Sequence, residues 1–364
     1  MEYIFEDVLE IKNGKNQKAV ENPDGKYPIY GSGGVMGYAD DYICEPDTVI
    51  IGRKGNINNP IYVDEAFWNV DTAFGLQAKR EVLSPRYLFY FCKRFDFEKL
   101  NKTVTIPSLT KSDLLKIKID LPGTDEQLVI VEKLTKLESV IDLRKQELNK
   151  FDELIKARFV ELFGDPVTNE RGWDTKPLEE ACYSIVDCPH STPSYTTDDT
   201  GFMCIRTSIV KKNQILWDEI EYIPEEEYVK RIQRKKPEKG DVIYTREGAI
   251  LGIAAVIDRD CDVALGQRSM LLSPDQKQCM PEFLSMAMNC DSFLNNALKG
   301  MSGSASPHIN VGDIRVFNMI MPPIELQKQF SEFTSQVDKS KVAVQKSLDE
   351  TQRLFDSLMQ EYFG

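Results

Sequence analysis

The chain has 364 residues, a formal net charge of −13, eight cysteines and only two histidines. This length exceeds what one small hydrophobic core supports and favours two globular domains, and the acidic charge excludes a protein that coats nucleic acid by charge alone. No hydrophobic run reaches membrane-spanning length and the N-terminus is not signal-like, so we expect a cytoplasmic protein without a membrane partner.

Residues 1–121 are predicted to form a first domain of mixed α/β type. Stretches rich in β-branched and aromatic residues indicate strands, and glycine-rich stretches between them indicate turns. The predicted elements are strands at Pro28–Tyr30, Thr48–Ile51, Ile61–Val63 and Leu115–Leu121, turns at Gly31–Gly34 and Gly52–Gly55, and a helix over Ser84–Leu100. Pro122-Gly123 ends the last strand and leads into the next segment.

A first long helix is predicted in residues 122–164. Apolar side chains recur there at alternating spacings of three and four residues, and such a sustained heptad pattern is typical of a coiled coil. This apolar seam consists of Ile130, Leu134, Leu137, Ile141, Leu148, Phe151 and Ile155. At 1.5 Å per residue the helix would be about 50 Å long.

Residues 165–321 are predicted to form a second domain, and residues 322–364 a second long helix. The domain is expected to contain a loop over Ile185–Tyr195, a basic run at Lys230–Lys236 and a helix over Pro281–Leu298. The second helix carries an apolar seam of its own, which consists of Phe330, Val337, Val344, Leu348, Phe355 and Leu358.

The second half of the chain repeats the first at an offset of 200 residues. The matched pairs include Leu121-Pro122 with Met321-Pro322, Gln127 with Gln327, and Phe163-Gly164 with Phe363-Gly364. Because internal repeats indicate repeated structural units, we predict an α+β fold with two mixed α/β domains and an internal twofold repeat. The two long helices are predicted to form an antiparallel coiled coil; the alternative is that each helix packs only on its own domain.

Two turns occupy comparable places in the two domains. Asp47–Gly55 and Gly240–Gly248 each consist of an apolar strand followed by a turn. The first turn carries Arg53 and the second carries Arg246. These two arginines are therefore expected to be structurally equivalent.

The sequence contains no convincing motif for catalysis or for a bound metal. The Gly31–Gly34 stretch lacks the Lys-Ser/Thr of a phosphate-binding loop, and Asn58–Tyr62 only partly matches the Asn-Pro-Pro-Tyr motif of amino-methyltransferases. The potential ligands in Asp187–His190 lie too close together for a usual zinc site, and the cysteines include no CxxC pair, so reduced and mostly buried thiols are expected. We expect no catalytic residue, no metal site and no cofactor in this chain.

Several stretches resemble a known family. Tyr27–Tyr38 followed by Val49–Gly55 is similar to the first part of a target-recognition domain, and Thr105–Thr110 leading to Leu121-Pro122 is similar to its junction with a spacer helix. Ile185–Pro193 and Gly240–Gly248 are similar to a second, divergent recognition domain. As a set, these stretches resemble the specificity (S) subunit of type I restriction-modification enzymes. One departure is Leu326, which replaces the glutamate of a Glu-Gln pair and puts only one cap contact in doubt.

The resemblance implies a function and a set of partners. Each domain would read one half of a bipartite site in double-stranded DNA, and the helices would fix the spacing and dock methyltransferase (M) subunits. The M subunits would bind S-adenosylmethionine and methylate adenine. Restriction/translocase (R) subunits would use ATP and Mg²⁺ to translocate and cleave DNA.

Given that resemblance, polar and basic residues on turns become candidates for DNA contacts, because phosphate contacts dominate DNA affinity and arginine is the usual reader of guanine. The candidates are Lys15, Ser32, Arg53, Lys54, Lys211, Lys212, Arg246, Arg268 and Ser302. A solvated surface charge is the alternative for each of them, and Arg53 and Arg246 are favoured because their turns are equivalent. The basic run at Lys230–Lys236 is either a backbone contact or a solvated helix face.

Two other classes of protein remain open from the residues alone. One is a non-catalytic scaffold whose coiled coil joins two protein-binding domains. The other is a standalone nuclease or methyltransferase, which the missing motifs disfavour. The partners recovered with the native protein would distinguish these classes.

Overall fold

The structure is a computed structural model that describes residues 1–101, 106–299 and 308–364. These residues form two compact units, Met1–Gln146 with Gln345–Gly364, and Glu147–Val344. Each unit contains one mixed domain and one half of each long helix, whereas the bounds drawn from the sequence treat each helix as a segment of its own. Those bounds, 1–121, 122–164, 165–321 and 322–364, stay a prediction.

The first unit begins with the first domain. Its strands are β1 (Glu2–Ile4), β2 (Leu9–Asn13), β3 (Tyr27–Gly31), β4 (Gly34–Ala39), β5 (Thr48–Gly52), β6 (Ile61–Val63), β7 (Trp68–Asn69), β8 (Ala73–Ala78) and β9 (Lys118–Asp120). Its helices are α1 (Phe5–Val8), α2 (Pro85–Arg94), α3 (Lys111–Leu114) and the first part of α4 (Thr124–Phe163). A 3-10 turn at Phe97–Leu100 follows α2.

The strands of the first domain form three sheets. A four-stranded antiparallel sheet has the order β2-β8-β5-β6, and a three-stranded sheet has the order β4-β3-β7, with β3 and β7 parallel. The third sheet is the antiparallel pair of β1 and β9. Strand β5 is buried along its whole length, as its continuous run of apolar residues requires.

The second unit contains the second domain. Its strands are β10 (Thr175–Pro177), β11 (Cys182–Asp187), β12 (Met203–Ile205), β13 (Val210–Lys211), β14 (Gln214–Ile215), β15 (Glu221–Tyr222), β16 (Val242–Thr245), β17 (Ala254–Val256), β18 (Val263–Leu265), β19 (Ser269–Pro274) and β20 (Asn318–Ile320). Its helices are α5 (Leu178–Ala181), α6 (Glu225–Arg231), α7 (Pro281–Met288), α8 (Asp291–Leu298), α9 (Val311–Arg315) and the first part of α10 (Ile324–Phe363). Two 3-10 turns lie at Thr207–Ile209 and Trp217–Glu219.

The sheets of the second domain repeat those of the first. The four-stranded sheet has the order β11-β19-β16-β17, and the three-stranded sheet has the order β15-β12-β18, with β12 and β18 parallel. Strands β10 and β20 pair in the same way as β1 and β9. The hairpin of β13 and β14 is an addition to this plan. The predicted fold class and its internal repeat are therefore confirmed.

Each unit contains an antiparallel pair of helical segments. In the second unit, Lys341 of α10 bonds to Asp152 of α4 at 2.6 Å, and Phe330 of α10 packs against Phe159 of α4 at 5.5 Å between ring centroids. In the first unit, Arg144 of α4 donates to the hydroxyl of Thr351 of α10. The chain numbers rise along one helix as they fall along the other, as an antiparallel coiled coil requires.

The residues of the two predicted seams face the helix pairs or the domain cores. Seven are buried, namely Ile130, Leu134, Ile141, Phe330, Val337, Leu348 and Phe355. Six are half-buried, namely Leu137, Leu148, Phe151, Ile155, Val344 and Leu358. Both helices end near the predicted residues, and Gly164 terminates α4 with a left-handed φ of 74°, a conformation that glycine adopts without strain.

Four local predictions are wrong in part, and the first is the strand expected over Leu115–Leu121, which spans only Lys118–Asp120. The expected helix over Ser84–Leu100 ends at Arg94, and the expected loop over Ile185–Tyr195 begins inside strand β11. The expected helix over Pro281–Leu298 is split into α7 and α8. The split falls at Asn289, whose amide bonds to the backbone N–H and carbonyl of Ala254 at 2.9 and 2.7 Å.

No helix within the described residues combines the length and apolarity that crossing a membrane would need.

Candidate nucleic-acid interface

In the first domain, the segment 68–73 holds the turns that carry several candidate residues. The carbonyl of Asn69 accepts a bond from the N–H of Lys15 at 2.9 Å, and the carbonyl of Thr72 accepts one from the N–H of Arg53 at 2.8 Å. The indole of Trp68 donates to the carbonyl of Lys15 at 3.0 Å. Lys15 and Arg53 are thus fixed at the backbone by one segment while their side chains stay exposed.

Ser32 lies beside the Arg53 turn. It is part of the turn between β3 and β4, and a Cβ added to Gly52 would lie 3.2 Å from its own Cβ. The same added Cβ would lie 2.0 Å from the carbonyl oxygen of Asn56, so only glycine fits at position 52. Glycine therefore allows the two turns to approach each other, and Ser32 lies close to Gly52, the residue before Arg53.

The Arg53 side chain is exposed and lies over an aromatic ring. Its guanidinium carbon is 5.7 Å from the ring centroid of Phe74, within the range of a cation–π contact. Lys54 is exposed next to it, and its backbone pairs with that of Ser108. Lys15, Arg53 and Lys54 therefore form an exposed basic edge, which we call the first-domain edge.

In the second domain, Arg246 occupies the equivalent turn but is buried. Its Nε and Nη2 donate to the two carboxylate oxygens of Asp187 at 2.9 and 3.2 Å. The two side chains are only 8% and 17% exposed, so this is a largely desolvated, bidentate ion pair. Arg268 is exposed nearby, and its carbonyl accepts a bond from the N–H of Arg246 at 3.0 Å.

The loop after β11 surrounds this ion pair. His190 Nε2 lies 3.0 Å from a carboxylate oxygen of Asp187, and its Nδ1 lies 3.4 Å from Nη2 of Arg246. Between them in sequence, Cys188 is buried and accepts a bond from the N–H of Ser269, and burial raises the pKa of its thiol. Asp187 and His190 therefore both contact Arg246. Among the residues that the structure describes, no group of three His, Cys, Asp or Glu side chains is arranged to hold a metal ion.

The remaining candidates of the second domain lie elsewhere. Lys211 and Lys212 lie on the β13–β14 hairpin, where Lys211 donates to the carbonyl of Ser208 at 2.8 Å and Lys212 pairs with Asp291 at 2.8 Å. Asp291 is the first residue of α8. Ser302 lies outside the described residues.

The basic run at Lys230–Lys236 is largely neutralised by acidic neighbours. Arg231 is buried and pairs with Glu227 at 2.7 Å, and Lys235 pairs with Asp241 at 2.9 Å. Lys236 pairs with Asp262 at 2.7 Å, and its hydrogen bond lowers the pKa of that carboxyl. At least three cations of the run thus have acidic partners within the protein.

Sequence reasoning missed two residues of the second domain. In the sequence, Asp187 stands out only as a potential metal ligand, although its place at the end of β11 puts it opposite the Arg246 turn. Arg206 follows β12, the central strand of the small sheet, just as the Gly31–Gly34 turn follows β3. It is 43% exposed, pairs with Glu221 at 2.9 Å and lies over the ring of Tyr195. Arg206 could have been identified only from the equivalence of β12 and β3, and the two sequences have diverged too far for that equivalence to be recognised.

Comparison with known proteins agrees with this architecture. A family model described as the type I restriction modification DNA specificity domain matches residues 2–152 and 170–351. The MjaVIII specificity subunit of Methanocaldococcus jannaschii is 21% identical over 310 residues, which cover 80% of this chain and 69% of that protein. The EcoBI specificity subunit of Escherichia coli is 20% identical over 376 residues, which cover 93% of this chain and 77% of that protein.

Two solved structures share the fold. The S subunit of a type I restriction-modification system from M. genitalium superposes with a TM-score of 0.64 at 16% identity, covering all of this chain and 96% of that one. A chain from a study of complex assembly and conformational transition of a type I restriction-modification system superposes with a TM-score of 0.57 at 18% identity, covering 100% of this chain and 97% of that one. The duplicated fold and the family match on both halves lead to one conclusion: the chain belongs to the type I restriction modification DNA specificity family and is a DNA sequence-specificity subunit of such a system.

Proposed function

We propose that the two domains read the two halves of a bipartite site in double-stranded DNA. The observation that supports this most directly is the duplicated sheet topology, with an arginine turn in the same place of each copy. In the first domain, the first-domain edge supplies Arg53 as a base reader and Lys15 and Lys54 as phosphate contacts. Arg268, Lys211 and Lys212 are the proposed contacts of the second domain, and Arg246, which Asp187 holds in the protein, is proposed to act through the adjacent Arg268 turn.

The helix pair is proposed to measure the distance between the half-sites. Each long helix has 40 residues and contributes one part to each compact unit. Adding one heptad at matched points in both helices keeps the apolar seam in register and lengthens the pair by roughly 10 Å. Because B-DNA rises about 3.4 Å per base pair, the unspecified gap should grow by about three base pairs.

Methylation mapping of the extended variant tests this proposal. Both half-sites should keep their sequences while the gap between them lengthens. The extra rotation is close to a third of a turn at about 10–10.5 base pairs per turn, so a lower rate is also expected. An unchanged gap, or altered half-sites with the native gap, would contradict the proposal that the helices measure distance.

The chemistry is proposed to reside on partner subunits rather than in this chain. M subunits would supply S-adenosylmethionine and transfer its methyl group to DNA, and R subunits would supply ATP-driven and Mg²⁺-dependent steps. Apolar side chains on α4 offer a docking surface for an M subunit, because they are exposed outside the apolar seam. They are Leu128, Val129, Leu143 and Leu154, which are 58%, 51%, 62% and 48% exposed.

The proposed docking surface can be tested by introducing a negative charge into it. Leu143→Asp should weaken co-purification of M subunits, because a carboxylate there would have to be desolvated on docking. Val342→Asp, on the other long helix and 70% exposed, is the matched control if docking uses α4 alone. If M subunits co-purify equally with both variants and with the native chain, this α4 surface does not dock them.

The acidic charge leads to a further expectation about DNA affinity. A net charge of −13 opposes the phosphate backbone, so the M subunits must supply part of the electrostatic attraction. The isolated chain should bind DNA weakly, and the complex with M subunits should bind it tightly. Nanomolar and site-specific binding by the isolated chain at physiological salt would contradict this expectation.

A further inference from the structure

Gln127 of α4 is a fully buried polar residue with three hydrogen bonds to the backbone. Its Nε2 donates to the carbonyl of Val82 at 2.9 Å and to the carbonyl of Pro122 at 3.0 Å. Its Oε1 accepts the N–H of Ser84 at 2.8 Å. Ser84 is the N-cap residue of α2, so the side chain joins the start of α4 to the start of α2.

Gln327 of α10 makes the same three bonds in the second unit. Its Nε2 donates to the carbonyls of Gln278 and Pro322 at 3.0 and 2.8 Å, and its Oε1 accepts the N–H of Met280 at 2.8 Å. Met280 is the N-cap residue of α7. Both glutamines are 0% exposed.

These contacts place each glutamine at the junction of a domain and its helix. All of the partners are backbone groups, so the junction does not depend on which side chains the flanking loops carry. A buried glutamine is tolerated only when its donors and acceptor are paired, and here both donors and the acceptor are used. Any rotation of the domain about the start of the helix would break several of these bonds at once.

We propose that Gln127 and Gln327 are positioning residues that fix the angle of each recognition domain on its long helix and thereby set a single gap length between the half-sites. This inference rests on the proposed function and adds to it the residues that make the spacing sharp. The helix pair would set the distance between the domains. The two glutamines would prevent each domain from rotating to reach half-sites that are separated by a different number of base pairs.

The side chain itself suggests the variants that test this role. Gln127→Met and Gln327→Met keep the length of the side chain but leave two carbonyls and one N–H without their partner. Gln127→Glu and Gln327→Glu keep the acceptor for the N–H but place a carboxylate oxygen against the two carbonyls. These glutamate variants serve as the second pair where a methionine variant fails to fold.

The experiment uses the complete complex of the full chain with M subunits. Its substrate is a library of DNA duplexes that carry both native half-sites and gaps one or two base pairs shorter or longer than the native gap. For each single variant, we expect the preference for the native gap over its neighbours to fall about tenfold, as the loss of a buried hydrogen bond would produce. The half-site sequences should stay unchanged.

Gln345→Met is the matched control, because Gln345 is an exposed glutamine of α10 that bonds along the helix surface to Asp349 at 2.8 Å. It should keep the native gap preference. Melting temperatures of all variants are measured alongside, so that lost stability is separated from lost spacing.

Two different failures can be told apart. If the native complex methylates no bipartite site, the proposed function is wrong. If the native complex has one preferred gap and the glutamine variants keep that gap, even with lower melting temperatures, the glutamines only stabilise the fold and the positioning role is wrong.

Discussion

The turns after β5 and β16 have equivalent strand register and an equivalent backbone hydrogen bond but opposite surroundings. Arg53 and Arg246 each lie just beyond the buried strand of the larger sheet, and each donates its N–H to a neighbouring turn. Arg53 is exposed over the ring of Phe74, whereas Arg246 is buried against the carboxylate of Asp187.

Strand register explains the difference. Phe74 of β8 is paired with Asn13 on one side and Ile51 on the other, and Met270 of β19 is paired with Asp187 and Tyr244. Asn13 therefore occupies the place of Asp187. A neutral amide leaves the arginine exposed for a ligand, and a carboxylate holds it in the protein, so one neighbouring residue decides what an equivalent arginine can do.

The largest expected effect is the loss of stability from Arg246→Ala. The carboxylate of Asp187, with only 17% of its side chain exposed, would lose its bidentate partner, and we expect the second domain to lose about 2–4 kcal/mol. Arg53→Ala should change stability by less than about 0.5 kcal/mol, since its side chain is exposed. Hydrogen exchange of the β11 and β16 amides measures the effect of Arg246→Ala in the intact chain, and that of the β2 and β5 amides measures the effect of Arg53→Ala. The double variant Arg246→Ala with Asp187→Ala should recover part of the loss; equal protection in all variants would contradict the ion-pair account.

Next in size is the loss of base recognition. If Arg53 reads a guanine, Arg53→Ala should cost about 1–3 kcal/mol at one base of one half-site. Arg246→Ala should affect the other half-site indirectly, because Arg246 donates its N–H to the exposed Arg268 turn. Arg53→Lys is the control, because it keeps the charge but loses the planar bidentate geometry. The measurement is the rate of methylation of sites that carry single-base changes. If both alanine variants methylate these sites at the native rates, the two turns do not read the DNA.

A smaller effect is expected from Asn13→Asp, which gives the first domain the carboxylate of the second. The new charge should attract the Arg53 guanidinium away from DNA, with a loss of about 0.2–1 kcal/mol typical of an exposed pair. Asn13→Ala removes the amide without adding charge and should have no such effect. Because surface pairs are screened by salt, the loss should shrink as the salt concentration rises; a loss that does not respond to salt would argue against this pairing.

The smallest effect concerns the residue after each arginine. Lys54 follows Arg53, but Glu247 follows Arg246, and both pair at the backbone with the segment before the α3 or α9 helix. Glu247→Lys should strengthen binding to all sequences alike and steepen the dependence of binding on salt by about one phosphate contact. Lys54→Glu should do the reverse. Binding titrations of the complete complex at several salt concentrations check both, and an unchanged slope would place these residues away from the DNA backbone.

Much of the architecture could be predicted from residue patterns, because those patterns can be read in the sequence without knowing which residues meet in the fold. A heptad seam from Ile130 onwards requires a helix with one apolar face, and the 200-residue offset requires that the second half follow the first. The equivalence of Arg53 and Arg246 followed in the same way, since each ends an apolar strand. The seam and the strand-turn patterns depend on spacing within a few residues, and the repeat is found by comparing the two halves of the sequence.

The partners of the site residues were decided by the tertiary structure. Asp187 and Arg246 are 59 residues apart in sequence, and the split of the expected helix at Asn289 depends on Ala254, 35 residues away. The residues around Gln127 in the sequence likewise give no indication that its side chain bonds to the backbone of Val82 and Ser84. Hydrogen bonds and ion pairs stabilise a buried polar group only when donor and acceptor meet at the right distance, and that meeting is set by strand register and sheet order rather than by the residues on either side.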